Sequence, residues 1–286
     1  MKIPSRLQPL VYDGLIDEVL FQLMSGKEAQ VFVVRSGDEI RCAKVYKEAN
    51  KRSFKQAVQY QEGRTGRNTR RNRAMAKSSK FGQKEQEQAW LNAEVVALYQ
   101  LAEAGVRVPK PYGYENGVLL MELITDEDGG PAPRLDDVAF EADMALEYHR
   151  HMMSEIVKML CAGLVHGDLS EFNVLVDNYG PVIIDLPQAV SAAGNNSARA
   201  MLLRDVNNMT AYFGQYNPAL LGTRYGEEIW ELYEHGNLHT EVVLSGEFVE
   251  SDVEADIATM LQIIEHAKEE EAERIEREIA ARNGEF

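Results

Sequence analysis

The stretch that most constrains this chain is VHGDLSEFNVLVDNYGPVIIDLPQ, which begins at Val165 and ends at Gln188. It holds two short apolar runs, NVLVD and PVIIDL, separated only by Asn178-Tyr179-Gly180. So short a connection between β-rich runs predicts a strand pair joined by a tight turn. Polar residues flank the pair: Asp168 and Asn173 stand before it, and Asp185 follows the second run. A hairpin bracketed in this way reads as the floor of a cleft.

The remainder is ordered as strands with one helix, a linker, and then a mostly helical half. Leu15, Val19 and Leu23 lie at helical spacing after Asp13, which predicts a short helix near the N-terminus. Val31, Val33 and the run from Ile40 to Val45 alternate about the turn SGDE, predicting a β-hairpin. Trp90, Val95, Leu98 and Leu101 mark one face of a helix that Gly105 closes. Asn116-Gly117 is a hairpin turn between two further strands. DEDGGPAP follows as a linker, and long helical patterns run on from it, one ending at Gly163. Ser251 and Glu254 form a capping-box pattern ahead of a charged terminal helix. The fold class expected is α+β and two-lobed, with a β-rich N-terminal lobe over 1–124 and a reduced helical lobe over 125–286.

Charge is spread unevenly. The net charge of the 286-residue chain is -16, yet residues 47–84 hold 12 Lys/Arg against two Glu. That segment is locally +10 and the rest of the chain -26. It lacks a hydrophobic period and reads as a flexible loop. Such a segment either folds back on the acidic body or meets an external polyanion such as RNA, with binding that falls as salt rises. Only Phe54 and Tyr60 precede its arginine cluster, so base stacking is thinly supplied. No apolar run reaches the length of a membrane span, and no secretory signal is visible. The two cysteines, Cys42 and Cys161, form no metal-like spacing, which points to a reducing, cytoplasmic setting.

The polar residues have the chemistry of phosphoryl transfer, which needs a group to orient the attacking hydroxyl, oxygen ligands for a metal, and positive charge on the phosphates. Asp168 suits the first role. Asn173 and Asp185 suit the second, since Mg²⁺ favours hard oxygen donors. Lys44, in the strand pattern CAKVY, suits the third, with Glu94 on the next strong helix as its pairing partner and Glu85 and Glu87 as alternatives. Ser25, Gly26 and Lys27 provide a small, donor-rich phosphate cover. The backbone of Glu122 to Ile124, at the end of VLLMELI, is placed to meet an adenine edge. Taken singly, each of these is a common turn, strand or surface residue; the reading rests on their joint order and spacing.

SGKEAQVF, CAKVY, AGVRVPKPYG, LLMEL, VHGDLSEFNVLV and VIIDLPQAV together resemble the RIO family of atypical protein kinases, from about residue 20 to about 215. Type-1 members are the nearer resemblance, since no room is left for the winged-helix domain that precedes the kinase in type-2 members; Pro187 is more like the type-2 pattern. The resemblance implies a two-lobed kinase fold, ATP with Mg²⁺ or Mn²⁺, and phosphorylation of serine on itself or another protein. It makes Asp168 the catalytic residue and Asn173 and Asp185 the metal ligands. Lys44, Glu94, Ser25, Gly26, Lys27, Glu122 and Ile124 become the ATP site. An ATPase-type switch, cycling through a phosphoaspartate at Asp185 and bound to RNA or a ribosomal particle, is the alternative. Small-molecule kinases share the H-x-D-x-x-x-x-N loop, but the SEF within it and the GKEA loop argue against them. Leu186-Pro187 after Asp185, with no A-P-E beyond, leaves out the usual peptide platform.

Overall fold

The computed structural model describes residues 3–26, 29–47 and 93–248. The chain divides into two compact units, Met1–Gly246 and Glu247–Phe286, and everything below concerns the first. The basic segment from Glu48 onward, Trp90 and the terminal capping box lie outside the described residues.

Five antiparallel strands form the first layer: β1 (Glu18–Ser25), β2 (Ala29–Ser36), β3 (Glu39–Tyr46), β4 (Pro111–Glu115) and β5 (Val118–Glu122), in the order β1-β2-β3-β5-β4. Both predicted hairpins are present. Ser36 faces Glu39 across a two-residue turn in which Gly37 takes φ 63°, and Asn116 and Gly117 turn β4 into β5 with φ 53° and 76°. Both central residues at positive φ is what the tight turn of that second hairpin requires. Both faces of the sheet are covered, which is why β2 is almost continuously buried rather than alternating. Phe32, Val34, Ala43, Val45 and Leu120 pack with Leu7, Leu10 and Ile16 on one side. On the other, Tyr46 and Leu119 join Val95, Leu98 and Leu101 of the helix that spans 93–103. Each such fully buried aliphatic side chain contributes about 1.5–3 kcal/mol. Gly105 closes that helix at φ 74°, and the Val106 N–H donates back to the Leu101 carbonyl at 3.0 Å.

The N-terminal expectation is corrected. The helix is a short one at Gln8–Tyr12, and Val19 and Leu23 belong to β1. Pairing with β2 along the whole strand outweighs a helical spacing set by three apolar residues. β1 departs from regular register between Gln22 and Met24. Such a bulge breaks alternation and re-aims side chains, and Leu23 and Met24 both line the cleft below the sheet.

The helical half is built on Ala142–Cys161, whose C-terminal portion buries Met152, Met153, Ile156, Val157, Met159 and Leu160. It packs in one core with the helices Ala198–Gly214 and Tyr225–Glu234. Two small strand pairs complete it: β6 (Leu164–Val165) with β9 (Val190–Ser191), and β7 (Val174–Asp177) with β8 (Gly180–Ile183), the hairpin read from the sequence. Among the described residues no helix is long and apolar enough to cross a membrane.

Candidate active site

A cleft of about 580 Å³ lies between the sheet and the β7–β8 hairpin. Lys44 reaches into it from β3. Its Nζ donates to Glu94 Oε1 at 2.5 Å and to Asp185 Oδ1 at 2.7 Å. One ammonium thus ties the sheet, the 93–103 helix and Asp185, two residues past β8, together. Burial alone would lower the Lys44 pKa; the carboxylates of Asp185 and Glu94 overcome it and hold the lysine well above its ordinary value. Lys44 in turn holds Asp185 below the usual carboxylate range, against the opposing effect of burial. Both groups therefore stay charged at neutral pH. Glu94 takes the lysine; Glu85 and Glu87 lie outside the described residues.

Asp185 has a left-handed backbone, φ 64°, unusual for a residue other than glycine. Its side chain remains 46% exposed, open to the cleft that it lines. Asn173 lines the same cleft and donates from Nδ2 to the Asp168 carbonyl at 2.8 Å, so its Oδ1 is the atom left for a ligand. Asp168 stands exposed at the side of the cleft rather than lining it. Burial raises its pKa, Arg204 opposes that, and Asp185 adds to it.

The remaining predicted residues are placed as follows. Gly26 lines the cleft, its N–H donating to the Ala29 carbonyl at 2.9 Å, whereas Ser25 is exposed at the end of β1 and does not line it. Lys27 lies outside the described residues. Glu122 and Ile124 both line the cleft. The Glu122 carboxylate is turned to the Lys110 N–H at 3.0 Å, and the Ile124 carbonyl accepts from Ala132 N at 2.9 Å.

Four supports of the Asp168 loop were not apparent from sequence. Gln188 donates from Nε2 to Asp168 Oδ2 at 3.0 Å. Asp205, only 1% exposed, accepts the N–H groups of Gly167 at 2.7 Å and Leu169 at 3.0 Å, on either side of Asp168. Asn208 and Arg204, near it on the same helix, donate to the Leu169 and Gly167 carbonyls. The available signal was an acid at Asp205 within the apolar stripe of Met201, Leu202 and Met209. Gly167, at φ 81°, supplies the turn that presents its N–H to Asp205. His166 is buried and faces the Ile184 carbonyl across 3.1 Å, while its Nδ1 accepts from Asp168 N at 3.3 Å. Burial pushes its pKa below the ordinary value, consistent with a neutral ring protonated at Nε2.

The lysine bridge gives a graded expectation. Lys44→Met removes the ammonium that ties Glu94 to Asp185, whereas Glu94→Gln leaves the Lys44–Asp185 pair intact. Steady-state rates should fall by about a hundredfold or more in the first and by about tenfold in the second, in line with the several kcal/mol that a preorganised charge supplies. Equal losses in the two would show that Glu94 does more than position Lys44.

A β-sheet half over a helical half, with a Lys–Glu pair, a supported aspartate loop and a second aspartate after a hairpin, defines a phosphotransferase of the protein-kinase-like class. The family described as the RIO domain matches residues 30–225. The chain belongs to the RIO family of atypical serine/threonine-protein kinases. It is 36% identical over 213 residues to the RIO-type serine/threonine-protein kinase Rio1 of Haloferax volcanii, covering 73% of this chain and 68% of that one. With the Rio1 of Methanocaldococcus jannaschii it shares 35% identity over 191 residues, 66% of this chain and 60% of that one. With human RIO1 the values are 30% over 217 residues, 74% and 36%. Solved structures of Rio2 kinase from Chaetomium thermophilum share the fold. One has a TM-score of 0.54 at 18% identity, covering 91% of this chain and 76% of that one. The other, an ADP/Mg²⁺-phosphoaspartate complex, has a TM-score of 0.52 at 19% identity, with 81% and 74% covered.

Proposed function

We propose that this chain transfers the γ-phosphoryl group of ATP to a serine hydroxyl, on itself or on another protein, with Mg²⁺ or Mn²⁺ as the metal. The observation that carries this reading is the convergence of Lys44, Glu94 and Asp185 through direct ion pairs, with Asn173 lining the same cleft. The donor set fits such a metal: one open carboxylate and one amide oxygen are hard ligands, and phosphate oxygens and water complete the shell. Asp185 and Asn173 would hold the ion, which when bound neutralises charge on the phosphates. Lys44 meets the phosphates, and Gly26 allows the backbone to approach them. The Glu122–Ile124 backbone meets the base. Asp168, oriented by Gln188, takes the proton of the attacking hydroxyl. The new bond joins that oxygen to the γ-phosphorus, the bond from phosphorus to the bridging oxygen breaks, and ADP leaves.

Two lobes dividing near residue 124 are part of this reading, supported by the end of β5 at Glu122. So is a cytoplasmic setting, supported by the cysteine usage. An RNA partner for the +10 segment is supported by charge alone. RNA binding that is absent at low salt, where a phosphate-backbone contact is strongest, would rule that partner out.

The direct test is incubation of the full chain with γ-labelled ATP. Label should appear on protein as a phosphoserine that resists hydroxylamine. Label lost to hydroxylamine would favour the phosphoaspartate cycle at Asp185, and free phosphate alone would remove the kinase reading.

A further inference from the structure

Arg134 follows the Pro131-Ala132-Pro133 segment and lines the cleft on the side of the β7–β8 hairpin, bridging to Leu175 of β7. It is only partly exposed and makes no ion pair among the described residues. Its Nη2 instead donates to the thioether of Met24 on β1 at 2.9 Å, across the mouth of the cleft. A thioether is a weak acceptor. A partly exposed guanidinium whose side-chain hydrogen bond goes to sulfur can exchange it for a stronger, anionic acceptor at little cost. The bulge in β1 that turns Leu23 and Met24 together into the cleft brings the sulfur to this position. Arg134 also lies near enough to Asp185 for its charge to help hold that carboxylate ionised. The cation therefore stands beside the residue assigned to the metal, facing the strand that ends at Ser25.

We infer that Arg134 is a nucleotide-recognising residue whose guanidinium exchanges the Met24 thioether for an oxygen of the polyphosphate. This rests on the ATP reading above. The planar fork of arginine matches phosphate geometry, and a charge-assisted bond to an anionic oxygen is far stronger than one to neutral sulfur. Ligand entry breaks the Arg134–Met24 contact, and the bound nucleotide then takes its place between the two halves of the cleft.

The test is a binding titration of the full chain with adenosine, ADP and ATP, each with Mg²⁺, in the wild type, Arg134→Met and Arg134→Lys. Arg134→Met should weaken ADP and ATP by about tenfold or more, as expected for one lost charged hydrogen bond. It should leave adenosine affinity and the melting temperature unchanged, and Arg134→Lys should fall between. Equal weakening of adenosine would overturn the inference in favour of a ribose or shape role. ATP bound equally by variant and wild type would overturn it outright and leave the ATP reading standing. A wild type that binds neither adenosine nor ATP would overturn both.

Discussion

Replacing Asp185 with alanine should lower turnover by about a thousandfold or more and weaken Mg-ATP binding, whereas Asp168→Ala should lower turnover by about 10²–10⁴-fold with binding largely spared. The difference follows from what each carboxylate touches. Asp185 lines the cleft and shares Lys44 with Glu94. Its loss removes a metal ligand and leaves the Lys44 bridge one-sided. Several kcal/mol of charge stabilisation are at stake, and each 1.36 kcal/mol is about tenfold in rate. Asp168 stands beside the cleft and acts only when a hydroxyl arrives, and proton-accepting groups contribute about 10²–10⁴-fold. Rates measured at saturating ATP, together with nucleotide affinity, separate the two. An Asp185→Ala chain with near-normal turnover would remove the metal assignment.

The second large effect belongs to Asp205. Asp205→Ala leaves the Gly167 and Leu169 N–H groups buried without an acceptor, at about 1–3 kcal/mol each. The Asp168 loop then loses its anchor, so both melting temperature and turnover should fall. Burial pushes Asp205 up to about 7, against the Gly167 and Leu169 N–H bonds and Arg204, while Asp168 adds to the rise. The folded chain therefore holds a proton there between pH 3.8 and about 7 that the unfolded chain releases. Stability from this group is present below pH 3.8 and declines as pH rises through that window. Subtracting the Asp205→Ala stability curve from the wild type should reveal that decline. A difference that is flat from pH 4 to 7 would show that Asp205 is ionised throughout.

Much of the site was legible because its residues announce themselves locally. Asp168, Asn173 and Asp185 sit at fixed offsets about a hairpin whose turn chemistry is plain, and Lys44 interrupts a clear strand. Glu94 was readable as the acid leading an apolar helical run, although only folding decides its partner. The supports were less accessible. Gln188, Asp205 and Arg134 act through contacts 20, 36 to 38 and 110 residues away in sequence. No periodicity records such distances. The misread N-terminal helix has the same origin: Val19 and Leu23 fit a helical spacing, but β1 exists because β2 is there to pair with it. Ser25 shows the limit in the other direction, since a phosphate-cover motif identifies the neighbourhood but not which of its side chains faces inward.

The positive φ at Asp185 has a consequence for the history of such a chain. A residue other than glycine held there stores about 1 kcal/mol of backbone strain, somewhat less for the short polar side chains of asparagine and aspartate. Selection for thermal robustness alone would drift towards glycine at this position, which offers no carboxylate. The residue that handles charge is thus one that stability would discard first. A lineage released from its chemistry should show the change at Asp185 before the surrounding core, with its Ile183 and Leu186, loosens.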